Sequence, residues 1–154
     1  MDKTPKVLFL SRGNASRAQI AEGFMRALAG NQLITFSAGT EDASVSPLAV
    51  EVMSEVGIDI SIQQPREVAS LFRDNFRYAV ALCDEPRERH PIFPFTRNLL
   101  TWPVLDPEVA ASEPEARKQA FRQVRDQIRS KVTELIDKMN QPESAFAMAH
   151  AKAA

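Results

Sequence analysis

At 154 residues and 17.1 kDa, with 44% hydrophobic and 25% charged residues, the chain has the size and composition of one globular domain around one core. A formal net charge of −1 excludes a general electrostatic pull toward nucleic acid or an anionic membrane surface, so any anion must be bound by a local site. No apolar run approaches the roughly 20 residues that span a bilayer, the opening M-D-K-T-P-K lacks the apolar region of a signal peptide, and a single cysteine, Cys83, excludes an internal disulfide framework, so a cytoplasmic protein is expected.

Residues 7–10, V-L-F-L, form an apolar run with the length and residue types of a buried strand. Ser11 ends it, Gly13 and Asn14 supply a turn, and a helical pattern begins at about Ser16 or Arg17. A tight loop between a strand and a helix N-terminus points backbone N–H groups into one concavity, which together with the helix dipole favours an anion. The whole stretch Ser11, Arg12, Gly13, Asn14, Ala15, Ser16, Arg17 is therefore the candidate oxyanion-binding loop, with the planar guanidinium of Arg17 suited to a tetrahedral oxyanion.

Ile20, Phe24 and Leu28, with Ala21 and Ala27 beside them, continue that helix until Gly30-Asn31 stops it. Residues 33–37 read as a second strand closed by Ala38-Gly39, and Ser46-Pro47 opens a helix whose apolar face is Leu48, Val52, Met53 and Val56. A loop over 58–64 and a short helix over 65–72 are expected next. Y-A-V-A-L at 78–82 predicts a third strand ending at Cys83-Asp84, and the segment 85–96, with Pro86, Pro91 and Pro94, predicts irregular surface chain. Residues 98–102 suggest a fourth strand, followed by Pro103 and Asp106-Pro107. Ser112 with Glu115 forms a capping box before the longest helix, whose stripe is Phe121, Val124, Ile128, Val132, Leu135 and Met139. Periodicity ends there, so one domain over 1–140 and a flexible tail over 141–154 are expected. Strands alternating with helices predict an α/β fold: a single three-layer domain with a four-stranded parallel sheet and helices on both faces. Ligands of such sheets bind beyond the carboxyl ends of the strands, where Ser11, Cys83 and Asp106 are all expected.

The loop S-R-G-N-A-S-R resembles the active-site loop of low-molecular-weight tyrosine phosphatases and of the thioredoxin-coupled arsenate reductases built on the same fold, whose pattern is Cys, five residues, Arg. Gly13, Asn14 and Arg17 match; Ser11 stands at the position of the nucleophilic Cys, and Ala18 where a thiolate-stabilising Ser is usual. The resemblance extends over roughly 6–139: F-S-A-G at 36–39, P-L-A at 47–49, V-G-I at 56–58, L-C-D at 82–84, W-P-V-L-D-P at 102–107, and A-F-R with V-R-D at 120–126, the last closer to the reductase branch. It implies the low-molecular-weight phosphatase-like fold, a phosphate-, arsenate- or sulfate-type oxyanion as ligand, Asp106 as general acid and Cys83 as a redox cysteine. His90-Pro91 stands where the reductases carry a third cysteine, and the sole tyrosine, Tyr78, lies outside the general-acid loop where the phosphatases carry a Tyr pair. Neither metal nor cofactor is implied.

Each candidate also has a structural reading. Ser11 has no adjacent base in sequence to activate its hydroxyl, so it reads as a strand-ending Ser bonded to backbone rather than as a nucleophile. Arg17 in a first turn sits poorly with the helix dipole and calls for an anionic partner, whereas Arg12 either recruits anions at the rim or is solvated. Asp106 is either the acid or a residue making a turn with its own backbone; Cys83 is either a redox thiol or a small buried apolar group; His90 reads as a solvated loop residue. Three functional readings follow: a family protein that binds an oxyanion or a phosphorylated protein with catalysis weakened or lost, a working reductase or phosphatase, and an engineered Cys-to-Ser trap of one. The changes at Ala18 and His90 favour natural divergence over the trap.

Overall fold

The structure, a computed structural model, describes residues 4–12, 16–39, 44–64, 66–71, 73–84 and 96–141. In chain order the elements are β1 (Lys6–Ser11), α1 (Ser16–Ala29), β2 (Ile34–Gly39), α2 (Pro47–Ser54), β3 (Arg66–Glu67), β4 (Phe76–Cys83), β5 (Thr96–Pro103) and α3 (Pro114–Met139), with 3₁₀ turns at Gly30–Gln32 and Val68–Leu71. The strands form one five-stranded sheet of order β3-β2-β1-β4-β5, and its pairs are parallel. The expected three-layer α/β domain is present with five strands rather than four. The additional strand is Arg66–Glu67, two exposed residues paired to Ala38 and Gly39, and the short helix expected over 65–72 is reduced to the 3₁₀ turn Val68–Leu71. A two-residue strand carries no hydrophobic period, so only pairing to the edge of β2 distinguishes it from loop.

Strand alternation splits the core. Val7 and Phe9 of β1, with Val80 and Leu82 of β4, pack against α1, α2 and α3, while Leu8 and Leu10 face Ala38, Ala79 and Leu71 of the second 3₁₀ turn. On α3, Phe121, Val124, Ile128, Val132 and Leu135 are buried as their spacing predicts, each contributing about 1.5–3 kcal/mol of transfer energy. On α1 the buried arc is wider than one stripe through Met25, but Leu28 is 47% exposed, because past Met25 only Ala29 of this helix remains buried.

The start of α2 at Ser46-Pro47 is as expected and the start of α3 is not, and one rule accounts for both. A residue preceding proline is driven into extended backbone, which is the N-cap conformation. Glu113, before Pro114, therefore caps α3, accepting from the amides of Glu115 (3.1 Å) and Ala116 (2.8 Å), and the expected Ser112 box does not form. Ser46, before Pro47, is the N-cap of α2, but its buried side chain makes no cap bond. α2 is tied to α3 by Glu55, which accepts from Arg122 and Arg125; Arg122 foremost holds the Glu55 carboxyl down to about 2, a surface network that adds little stability.

Gly23 marks the closest approach of α1 to the segment after α2. A Cβ there would lie 2.6 Å from Ile60 Cγ2 and 3.1 Å from Met53 Cε, both fully buried side chains. Gly23→Ala, which in an open helix gains about 1 kcal/mol, is therefore expected to lower stability by about 1–2 kcal/mol through overpacking. Urea unfolding checks this, and a stabilised variant would mean that α1 and Ile60 separate freely.

Candidate active site

Parallel strands bring their carboxyl ends to one rim. In the register, Ser11 at the end of β1 lies opposite Gly39 and Leu82, and Cys83 at the end of β4 lies opposite Pro103. The chain turns at Ser11 and starts α1 at Ser16, so the helix N-terminus sits directly over that rim. Side chains of a helix tilt toward its N-terminus, which carries Arg17 back to the strand ends.

Arg17 is only 1% exposed, and it ranks among the largest fully buried side chains. Its Nη1 donates to the carbonyl of Val104 at 2.9 Å, and its Nη2 lies 3.9 Å from Asp106 Oδ2. Asp106 is partly open to solvent; its Oδ1 accepts from the Glu108 amide at 3.0 Å, which closes a turn over the following residues. The turn of Asp106 on its own backbone, one of its two expected readings, is thus present, and the carboxyl also lies near Arg17. Ser11 is buried, and its Oγ accepts from the Ala18 amide at 3.4 Å. Ser16 is buried beside it, and Arg12 is exposed at the rim. The expected loop residues Gly13, Asn14 and Ala15 lie outside the described residues, as does His90.

Ser11 and Cys83 end neighbouring parallel strands, and Asp106 follows β5 and approaches Arg17, so these residues lie toward one end of the sheet. Cys83 has no exposed surface, and its carbonyl accepts from the Val104 amide at 3.1 Å. Sequence reasoning missed Val104, whose amide and carbonyl join β4 to Arg17. A backbone contact of this kind leaves no trace in residue type. Trp102 packs against Phe9 under the site, with ring centroids 5.8 Å apart. Among the described residues no three His, Cys, Asp or Glu side chains converge into a metal-binding group, and no helix is long and apolar enough to cross a membrane.

A second buried charge, Glu22, lies on α1 outside the rim. Its Oε1 accepts from Ser37 Oγ (3.3 Å) and Arg26 Nη2 (3.4 Å), and its Oε2 has no hydrogen-bond partner among the described residues. It lines a cavity of about 260 Å³ with Arg26, Gln63 and Arg66. Burial raises the Glu22 carboxyl above the ordinary 4.5, outweighing Arg26, Ser37 and Arg66, which lower it.

Residues 6–145 match the model of the family described as low molecular weight phosphotyrosine protein phosphatase. The arsenate reductase of Bacillus subtilis (strain 168) is 34% identical over 131 residues, covering 85% of this chain and 94% of that protein. A solved arsenate reductase in oxidized state superposes with a TM-score of 0.75 at 32% identity, covering 88% of this chain and 98% of its own. An arsenate reductase in the phosphate binding state gives 0.73 at 31% identity, covering 87% and 98%.

Proposed function

The chain belongs to the low-molecular-weight phosphotyrosine protein phosphatase family, with its similarity running to arsenate reductases, and we propose that it binds a phosphate- or arsenate-type oxyanion in the loop 11–17, with catalysis weakened or lost because Ser11 takes the position of the nucleophilic Cys. The observation that carries this is the buried Arg17, held by Val104 at the strand ends beside Ser11 and Asp106. A buried guanidinium over a helix N-terminus supplies a local positive site that the net charge of the chain does not. The similarity to a reductase in the phosphate binding state supports the same ligand class.

Ser11 supports the loss of catalysis. Among the described residues its hydroxyl meets an amide donor, Ala18 N–H, and no base able to take its proton. Tyr78, the sole tyrosine, is buried in β4 and supplies no ring beside Asp106. A phosphorylated protein is the wider alternative within this ligand class.

Titration calorimetry with phosphate, arsenate and sulfate tests the assignment. Arg17→Ala is expected to weaken binding by at least about 1.5 kcal/mol, the scale of a charge-assisted hydrogen bond, while Arg129→Ala on α3 leaves it unchanged. Arg17→Lys, which keeps the charge and loses the planar fork, should fall between the two. Equal affinity in all four proteins would remove the loop as the binding site.

A further inference from the structure

The segment from the end of β5 to the start of α3 carries Asp106, and it has few apolar anchors. Val104 and Pro107 are buried, but Leu105, Val109 and Ala110 are exposed. Hydrogen bonds therefore define its course. On the near side Val104 is held twice, by its amide to Cys83 O and by its carbonyl from Arg17. At Pro103 the carbonyl accepts from Gln127 Nε2 of α3 at 3.1 Å. On the far side, beyond the turn that Asp106 makes with Glu108 and Val109, Arg117 ties the segment to α3, its Nε donating to Ala111 O at 3.0 Å.

From this we infer that Arg117 is a positioning residue for Asp106: by holding Ala111 from the first turns of α3, it keeps the turn in place so that the carboxyl faces Arg17. The inference rests on the proposed reading of the loop and on the general-acid role that the family resemblance implies for Asp106. Arg117 itself stays on the α3 side and touches no reacting atom. Its planar, permanently charged guanidinium is suited to grip a carbonyl from a half-buried position, since it is more weakly hydrated than an ammonium. A displacement of about 1 Å at a proton donor costs up to about a hundredfold in rate, so a tether several residues away has leverage on the chemistry.

Two measurements test it. In the protein as it stands, amide exchange followed by NMR should show the Glu108 amide, which bonds Asp106 Oδ1, losing protection in Arg117→Ala, with the Ala18 amide at Ser11 unaffected and Arg117→Lys partly restoring protection. In a Ser11→Cys background, Arg117→Ala should reduce hydrolysis of phenyl phosphate by about tenfold or more, and leave 2,4-dinitrophenyl phosphate nearly unchanged, because a good leaving group needs no proton. Unchanged exchange at Glu108, or an equal loss on both esters, overturns the inference. If Ser11→Cys hydrolyses neither ester, the proposed reading of the loop fails, and the exchange measurement still decides whether Arg117 holds the turn.

Discussion

Ser11→Cys is expected to convert this protein into a phosphatase toward small aryl phosphates, raising turnover by roughly a hundredfold or more, the scale that positioned acid catalysis supplies. The new thiol would replace a hydroxyl that already accepts from the Ala18 amide, at the N-terminus of α1 and near the guanidinium of Arg17. Each of these favours a thiolate, so its pKa should fall well below the free value of about 8.5. Asp106, 3.9 Å from Arg17, is then placed on the same rim to protonate the leaving oxygen. Ala18 offers an amide but no hydroxyl, so Ala18→Ser in addition should raise the rate further. Thiol-coupled arsenate reduction should stay poor, because a turnover that ends in a disulfide needs a resolving thiol and His90 stands where the resemblance places one. The measurements are thiol alkylation against pH and hydrolysis of a chromogenic ester. A folded variant with an ordinary thiol pKa and no hydrolysis would mean that the loop shape has diverged along with its nucleophile.

Glu22→Gln should stabilise the protein at neutral pH by about 1–3 kcal/mol, the cost of a buried polar atom left without a partner. The direction follows from the raised carboxyl of Glu22. A group whose folded pKa lies above its unfolded value holds its proton more tightly in the folded state. Its favourable contribution is complete below about 4.5, the unfolded value, and is lost as pH rises through the folded value. The Gln variant has no such loss, so its advantage should be near zero at pH 4 and grow upward from there. The charged groups facing Glu22 are Arg26 on α1 and Arg66 on β3, and both oppose this trend without reversing it. Urea unfolding of both proteins from pH 4 to 7 checks the sign. A variant less stable than the parent at pH 7 would mean that Arg26 outweighs desolvation.

Much of the architecture was legible because long elements announce themselves by period. The α3 stripe from Phe121 to Leu135 and the apolar β1 run are strong signals, and each is buried as read. The rim placing Ser11 and Cys83 together followed from strand ends alone, because parallel strands share a direction. What failed were short or competitive features. The two-residue β3 has no period, and Glu113 displaced Ser112 because Pro114 acts on its immediate neighbour. Leu28 obeyed the helical period but not the burial it usually signals, since burial depends on what lies opposite that turn.

Residue type and spacing along the chain were enough to read the parallel α/β order and the loop 11–17, and the resemblance of that loop pointed to the family that the comparison shows. Only the tertiary structure decided where the donors of Arg17 go, that Asp106 turns on its own backbone while approaching Arg17, and that Arg117 and Gln127 hold the segment carrying it. The same holds for Glu22, an ordinary helical carboxylate in the chain, whose titration is set by burial between α1 and β2. The physical reason is common to all of them. Hydrogen bonds to backbone carbonyls, and the desolvation of a charge, depend on which atoms meet across the fold, and backbone atoms are the same at every position of the sequence.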